Sequence, residues 1–256
     1  MGVIHPTAII DARARLGANV SVGAYSVIDG DVEIGDGTTI GHHAVITGHT
    51  SIGRDNRLFH FVSIGEANQD KKYQGEPTRL VIGDRNTIRE FCSLNRGTVQ
   101  DKGVTTIGHD NWLMAYVHVA HDCIVGSHTT IANCTQLAGH VEVGDWVTLG
   151  GFTGVHQFVK IGVHVMCGVS SVVLMDIPPY VTCGGNPLAA VGINAEGLKR
   201  RGYTPEQISN VKRAYKTLYR TGLGFAEAKA AIAAENAPEL RVLADFLNAS
   251  TRGIVR

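Results

Sequence analysis

The chain has 256 residues, enough for one large domain or two modest ones, and its 23 Lys and Arg balance 23 Asp and Glu. That balance argues against a general polyanion binder such as a nucleic-acid protein. No apolar run is long enough to span a membrane, the opening MGVIHPTAII lacks the order of a secretory signal, and five scattered cysteines contain no CxxC pair, so a reducing cytoplasm fits.

From the start of the chain an aliphatic residue recurs at every sixth position: Ile4, Ile10, Leu16, Val22, Ile28, Ile34, Ile40, Ile46, Ile52, Leu58 and Ile64. The polar stretch 65–81 interrupts the phase, which resumes at Ile82, Ile88 and Leu94, breaks again at 98–106, and runs from Ile107 to Val173. Of 26 such positions, 25 are Ile, Leu or Val, and Cys167 is the exception. Gly or another small or polar residue often follows the aliphatic. This pattern resembles the hexapeptide repeat of left-handed parallel β-helices, in which six residues make a strand and a turn and three repeats make one triangular coil. Both polar inserts are expected to loop out, and rigid scaffolds favour loops as places for function. The prism should stop near Pro178-Pro179. The tail then changes character: Thr204, Pro205 and Glu206 read as a helix start, Ile208, Val211, Ala214, Tyr215 and Leu218 follow helical spacing, and further helices are expected near 225–235 and 238–249. The expected organisation is a β-helix over 1–190 and a helical domain over 191–256.

Residues one coil apart should stack, which brings His118, His121, His140 and His156 along one edge. Clustered imidazoles have two chemical readings, zinc ligation and general-base catalysis. Spacing alone leaves both open; a histidine taken singly reads as a solvated turn residue, whereas three coils contributing to one place point to function.

The motifs outside the repeat are more discriminating. NQDKKYQGEPTR (68–79), HVAHD (118–122), LAGHV (137–141), VHQF (155–158) and NAEGLKRRG (194–202) resemble the UDP-N-acetylglucosamine acyltransferases of lipid A biosynthesis, over essentially the whole chain. The resemblance implies transfer of an R-3-hydroxyacyl chain from acyl carrier protein to the sugar 3-hydroxyl, the first step of lipid A synthesis, by a homotrimer without a cofactor or metal. It makes His121 the general base, Asp122 its orienting partner and Gly139 N–H the oxyanion donor. His118, His140 and His156 would line the pocket. Gln69, Asp70 and Lys72 would meet the sugar and donor; Gln157, Asn194, Glu196, Arg200 and Arg201 would surround the nucleotide and phosphates. The acidic carrier protein calls for a local basic surface, for which Lys199, Arg200, Arg201, Lys212, Arg213, Lys216 and Arg220 are candidates.

Two residues depart from the long-chain pattern of that family. Val169, beside Met166 in MCGVSS, stands where the long-chain enzymes carry glycine at the end of the acyl groove. This implies an acyl chain shorter than fourteen carbons, with ten the leading expectation. Asn95 stands where a histidine is familiar, which keeps open an N-acyltransferase acting on a 3-amino sugar. The related N-acyltransferase with a uridine-binding domain ahead of its repeats fits less well, because the repeats here begin at Ile4. A zinc hydratase of β-helix type and a non-enzymatic scaffold are the remaining readings.

Overall fold

The computed structural model describes residues 2–256. The six-residue period becomes short strands, most of two residues, separated by turns. Ile9–Ile10, Arg15–Leu16 and Ser21–Val22 take the three sides of a prism in succession. The first, second and third faces so begun hold nine, eight and ten strands. Neighbours on a face run parallel and in register, Ile28 opposite Ile46 and Ile46 opposite Ile64. The fold is a left-handed parallel β-helix with a small C-terminal helical region.

The repeat aliphatics point inward. On the first face Ile28, Ile46, Ile64, Leu94, Val119, Leu137, Val155 and Val173 form one column, none more than 4% exposed. Cys167 fills the same kind of position and is wholly buried. Ile4, at 51% exposed, marks the open end of the stack. Each coil turns its corners through residues in the left-handed region, Asp122 (φ 57°), His140 (φ 64°) and Phe158 (φ 65°) on one edge. Asp, Asn and His tolerate that conformation better than most residues. Its repetition stacks corner side chains in columns.

The loops are shorter than their polar sequence suggests. Arg79–Ile82 is a strand in register with His49–Ile52 on one side and Val104–Ile107 on the other, and Leu80 is fully buried. The excursions from the prism are therefore 67–78 and 96–103. Across them the pairing offset changes, so that Ser63 faces Ser93 and Ser93 faces His118.

Pro178 and Pro179 do not end the prism. They sit at a corner, where a proline removes no ladder donor. Val181–Gly184 continues the third face beside Met166–Cys167, and antiparallel Ala189–Ile193 closes it. That last strand crosses the expected boundary at 190/191. A short helix absent from the sequence reading follows, α1 (Ala195–Arg200), then α2 (Pro205–Tyr219), α3 (Phe225–Ala234) and α4 (Pro238–Ala249). Thr204 caps α2 as expected: its Oγ1 accepts from Gln207 N–H (3.2 Å), and Gln207 Oε1 accepts from Thr204 N–H (2.9 Å). Val211, Ala214, Leu218, Ile232, Leu240, Leu243 and Leu247 bury the inner faces of these helices around Tyr180.

Candidate active site

The edge between the first and second faces gathers His121, Asp122 and His140. His121 leaves the corner after His118–Val119, and its Nδ1 lies 3.0 Å from Asp122 Oδ2. Asp122 is fully buried. Its carboxylate accepts from Thr98 N–H (3.1 and 3.0 Å to the two oxygens) and from Thr98 O–H (2.6 Å). Burial would push the Asp122 carboxyl up, but these bonds and the one to His121 outweigh it and hold it below the ordinary range. An ionised Asp122 can only accept, so His121 Nδ1 carries a proton and Nε2 is the free ring nitrogen.

Gly139 lies one coil beyond His121. A Cβ there would meet the imidazole at 2.5 Å from Cε1 and 2.7 Å from Nε2, so only glycine lets this backbone pass so close to the ring. Among the described residues nothing accepts a hydrogen bond from Gly139 N–H. His140 stands edge-on to His121 (centroids 4.9 Å, 87° between planes) and stacks on Phe158 (4.2 Å, 6°).

A cavity of about 760 Å3 opens here. Of the residues expected from sequence, Gln69, Asp70, Lys72, Asn95, His121, Gly139, His140 and Gln157 line it. The loop 67–78 reaches it because Asn68 Nδ2 donates to Gly97 O (2.9 Å), tying the two loops together. Asn95 is 4% exposed and its Oδ1 has no partner among the described residues. His118 and His156 flank the cavity instead of lining it. His118 Nδ1 pairs with Ser93 Oγ (2.7 Å), and burial lowers its pKa. His156 meets Gln157 O (3.0 Å) and Arg252 Nη2 (3.3 Å). Thr98, Gln100, Asp101 and Phe158 also line or brace the site. The periodicity had no signal for the first three, which belong to a loop.

His121, Asp122 and His140 offer ligating atoms within 4.8 Å of one another. A cation there would compete for the Asp122 oxygens with Thr98 and His121, so the donor set is already engaged in hydrogen bonds. A more apolar groove of about 460 Å3 lies under the C-terminal segment, between Val172, Met175, Leu188, Phe225 and Val255, and no imidazole or side-chain carboxylate lines it.

The other expected residues lie on different edges of this chain. Asn194 caps α1, accepting from Gly197 N–H (3.1 Å) and donating to His164 O (2.9 Å), and Glu196 pairs with Lys199 (2.8 Å). Arg201 lies 4.7 Å above the Trp146 ring, at the edge between the second and third faces, while Arg200 is exposed. The adjacent arginines are thus in different surroundings. Met166, on the third face, and Val169, at the next corner, are 38% and 66% exposed.

Comparison with known proteins accords with this fold. The model of UDP-N-acetylglucosamine O-acyltransferase domain 2 matches residues 176–255, and the bacterial transferase hexapeptide model matches 13–48 and 105–139. The acyl-[acyl-carrier-protein]–UDP-N-acetylglucosamine O-acyltransferase of Thiobacillus denitrificans is 66% identical over the full length of both chains. Among solved structures, LpxA of Acinetobacter baumannii superposes with a TM-score of 0.96 at 48% identity over 99% of each chain. UDP-N-acetylglucosamine acyltransferase of Francisella novicida gives 0.97 at 39% identity, over 99% of this chain and 94% of that one. The chain is an acyltransferase and belongs to the UDP-N-acetylglucosamine O-acyltransferase family.

Proposed function

We propose that the protein transfers a 3-hydroxyacyl chain from acyl carrier protein to the 3-hydroxyl of UDP-N-acetylglucosamine, opening lipid A synthesis, with His121 as general base. The observation that carries this reading is the free Nε2 of His121 facing a polar cavity beside an unpaired Gly139 N–H. Nε2 takes the proton of the 3-hydroxyl as its oxygen attacks the thioester carbonyl. The oxyanion that forms is met by Gly139 N–H. Asp122 steadies the imidazolium. Collapse of the tetrahedral intermediate forms the ester, breaks the C–S bond and returns the proton to the departing thiolate.

Asp70, Lys72 and Asn95 hold the sugar and donor, with Gln69 beside them. Gln157 completes the wall, and His118 and His156 support it from the flanks. The nucleotide and its phosphates go to Asn194, Glu196, Arg200 and Arg201. These lie on another edge of the prism, so a neighbouring copy must bring them to His121, which supports a homotrimer with its sites in the clefts between prisms. The same cleft takes the acyl chain, which Met166 and Val169 close at about ten carbons. The basic tail receives the acidic carrier protein, and five free cysteines suit a cytoplasmic enzyme.

Two measurements test this reading. Mass spectrometry of the product made from mixed acyl donors and both sugar nucleotides reads chain length and linkage together. An amide product would favour the second reading, acylation of a 3-amino sugar, to which the unpartnered Asn95 Oδ1 could equally offer an acceptor. His121→Ala should lower turnover about 10²–10⁴-fold with the fold intact. Near-normal turnover by the folded variant would move the base elsewhere.

A further inference from the structure

The loop 96–103 acts on the carboxylate beside each imidazole of the cavity, bracing one and supplying the other. Thr98 positions Asp122 beside His121, as described. Three residues on, Asp101 Oδ2 lies 2.6 Å from Nδ1 of His140. The loop is tight: Gly103 N–H donates to Thr98 O (2.9 Å), and Gly103 adopts φ 68° before the chain enters the strand Val104–Ile107. Lys102 flanks the carboxylate at 3.2 Å and reaches toward Glu142 at 3.9 Å.

Two features separate this contact from an ordinary surface ion pair, which contributes little. The His140 side chain is 12% exposed and lines the cavity. Its ring plane is also held independently, by the stack on Phe158 and the edge of His121. What stacking leaves undetermined is which ring nitrogen bears the proton, and a carboxylate on Nδ1 decides that.

We propose that Asp101 is a positioning residue that fixes a proton on His140 Nδ1 and so leaves Nε2 as an acceptor for a hydroxyl or amide N–H of the sugar substrate. This rests on the cavity being the acceptor-sugar site. Where Asp101 is ionised, it accepts from Nδ1–H. Burial pushes its carboxyl up, but hydrogen bonds from His140 and Lys102 outweigh this and hold it below the ordinary range. With the proton on Nδ1, the lone pair of a neutral imidazole lies on Nε2.

The test uses full-length protein labelled with 15N-histidine. Two-bond 1H–15N spectra should show His140 protonated at Nδ1 in the parent and shifted toward the Nε2-protonated form in Asp101→Asn and Asp101→Ala. Both variants should raise KM for UDP-N-acetylglucosamine about tenfold, the scale of one charge-assisted hydrogen bond misplaced, with kcat changed much less. Asp101→Glu should restore part of both. A parent that turns over the sugar nucleotide but carries the His140 proton on Nε2 overturns the assignment. So do Asp101 variants with unchanged KM. The ring spectra require no turnover, so an inactive parent whose His140 is protonated at Nδ1 would count against the proposed substrates and leave the tautomer assignment standing.

Discussion

Replacing Gly139 by alanine isolates the approach of one backbone to one imidazole. The added Cβ would lie 2.5 Å from His121 Cε1, 2.7 Å from Nε2 and 3.1 Å from Nδ1. Carbon atoms in contact prefer roughly 3.5–4.0 Å, so the ring must retreat by about 1 Å. It cannot retreat freely, because Nδ1 is held at 3.0 Å by a carboxylate that is itself buried and held by Thr98. Retreat therefore stretches the His121–Asp122 bond and moves Nε2 away from any hydroxyl seated in the cavity. A misplacement of about 1 Å costs on the order of 10²-fold in rate, which corresponds to about 2.7 kcal/mol of transition-state stabilisation. The backbone φ at Gly139 lies outside the left-handed region, so alanine meets no backbone penalty there and any fall in melting temperature reads the strained His121–Asp122 contact. Steady-state kcat/KM with acyl carrier protein and UDP-N-acetylglucosamine, paired with a thermal melt and a crystal structure of the variant, reads all three quantities. Parental kcat/KM in a variant whose His121 ring has not moved would refute the reasoning.

Other expected outcomes concern proton linkage and the acyl groove. Asp122 has a folded pKa below its unfolded value, so its contribution to stability is complete above about pH 4 and fades as pH falls through the folded pKa. The stability gap between parent and Asp122→Asn, measured by denaturant unfolding, should therefore be widest near neutral pH and shrink below pH ~4; a gap that widens on acidification contradicts this. His164 is buried between Trp146 and Tyr180, and burial, helped by the nearby Arg201 charge, lowers its pKa to about 4. The unfolded chain binds that proton first, so the parent should lose stability as pH falls from about 6.5 towards 4. His164→Phe should flatten that part of the profile, and an unchanged slope would place the titration elsewhere. Val169→Gly should shift donor preference toward twelve and fourteen carbons, since each buried CH2 contributes about 0.8 kcal/mol; competition assays showing the parental preference would remove Val169 from chain-length control.

How much of this molecule was legible beforehand depends on whether the information is periodic. A six-residue phase states which side chain points inward at each turn, because a short strand has only two faces and one must be buried. The prism, the inward column through Val173, the shared edge of His121 and His140, and the start of α2 at Thr204 all follow from such local rules. The prolines misled because their meaning depends on position: at 178–179 they occupy a corner instead of a ladder. Loop extents misled because polar residues such as Arg79 and Thr106 face outward from strands whose other face is buried.

The amino-acid sequence alone determined the coil, its register within uninterrupted stretches and the edge that carries the imidazoles, since each is a repeated short-range choice. Only the tertiary structure decided that the loop 96–103 folds back to place Thr98 on Asp122 and Asp101 on His140. It also decided that Asn194 and Arg201 lie on a different edge from His121. The physical reason is that an insert alters the offset between neighbouring strands, and contacts across it depend on which coils are brought side by side, a distance no periodic pattern encodes.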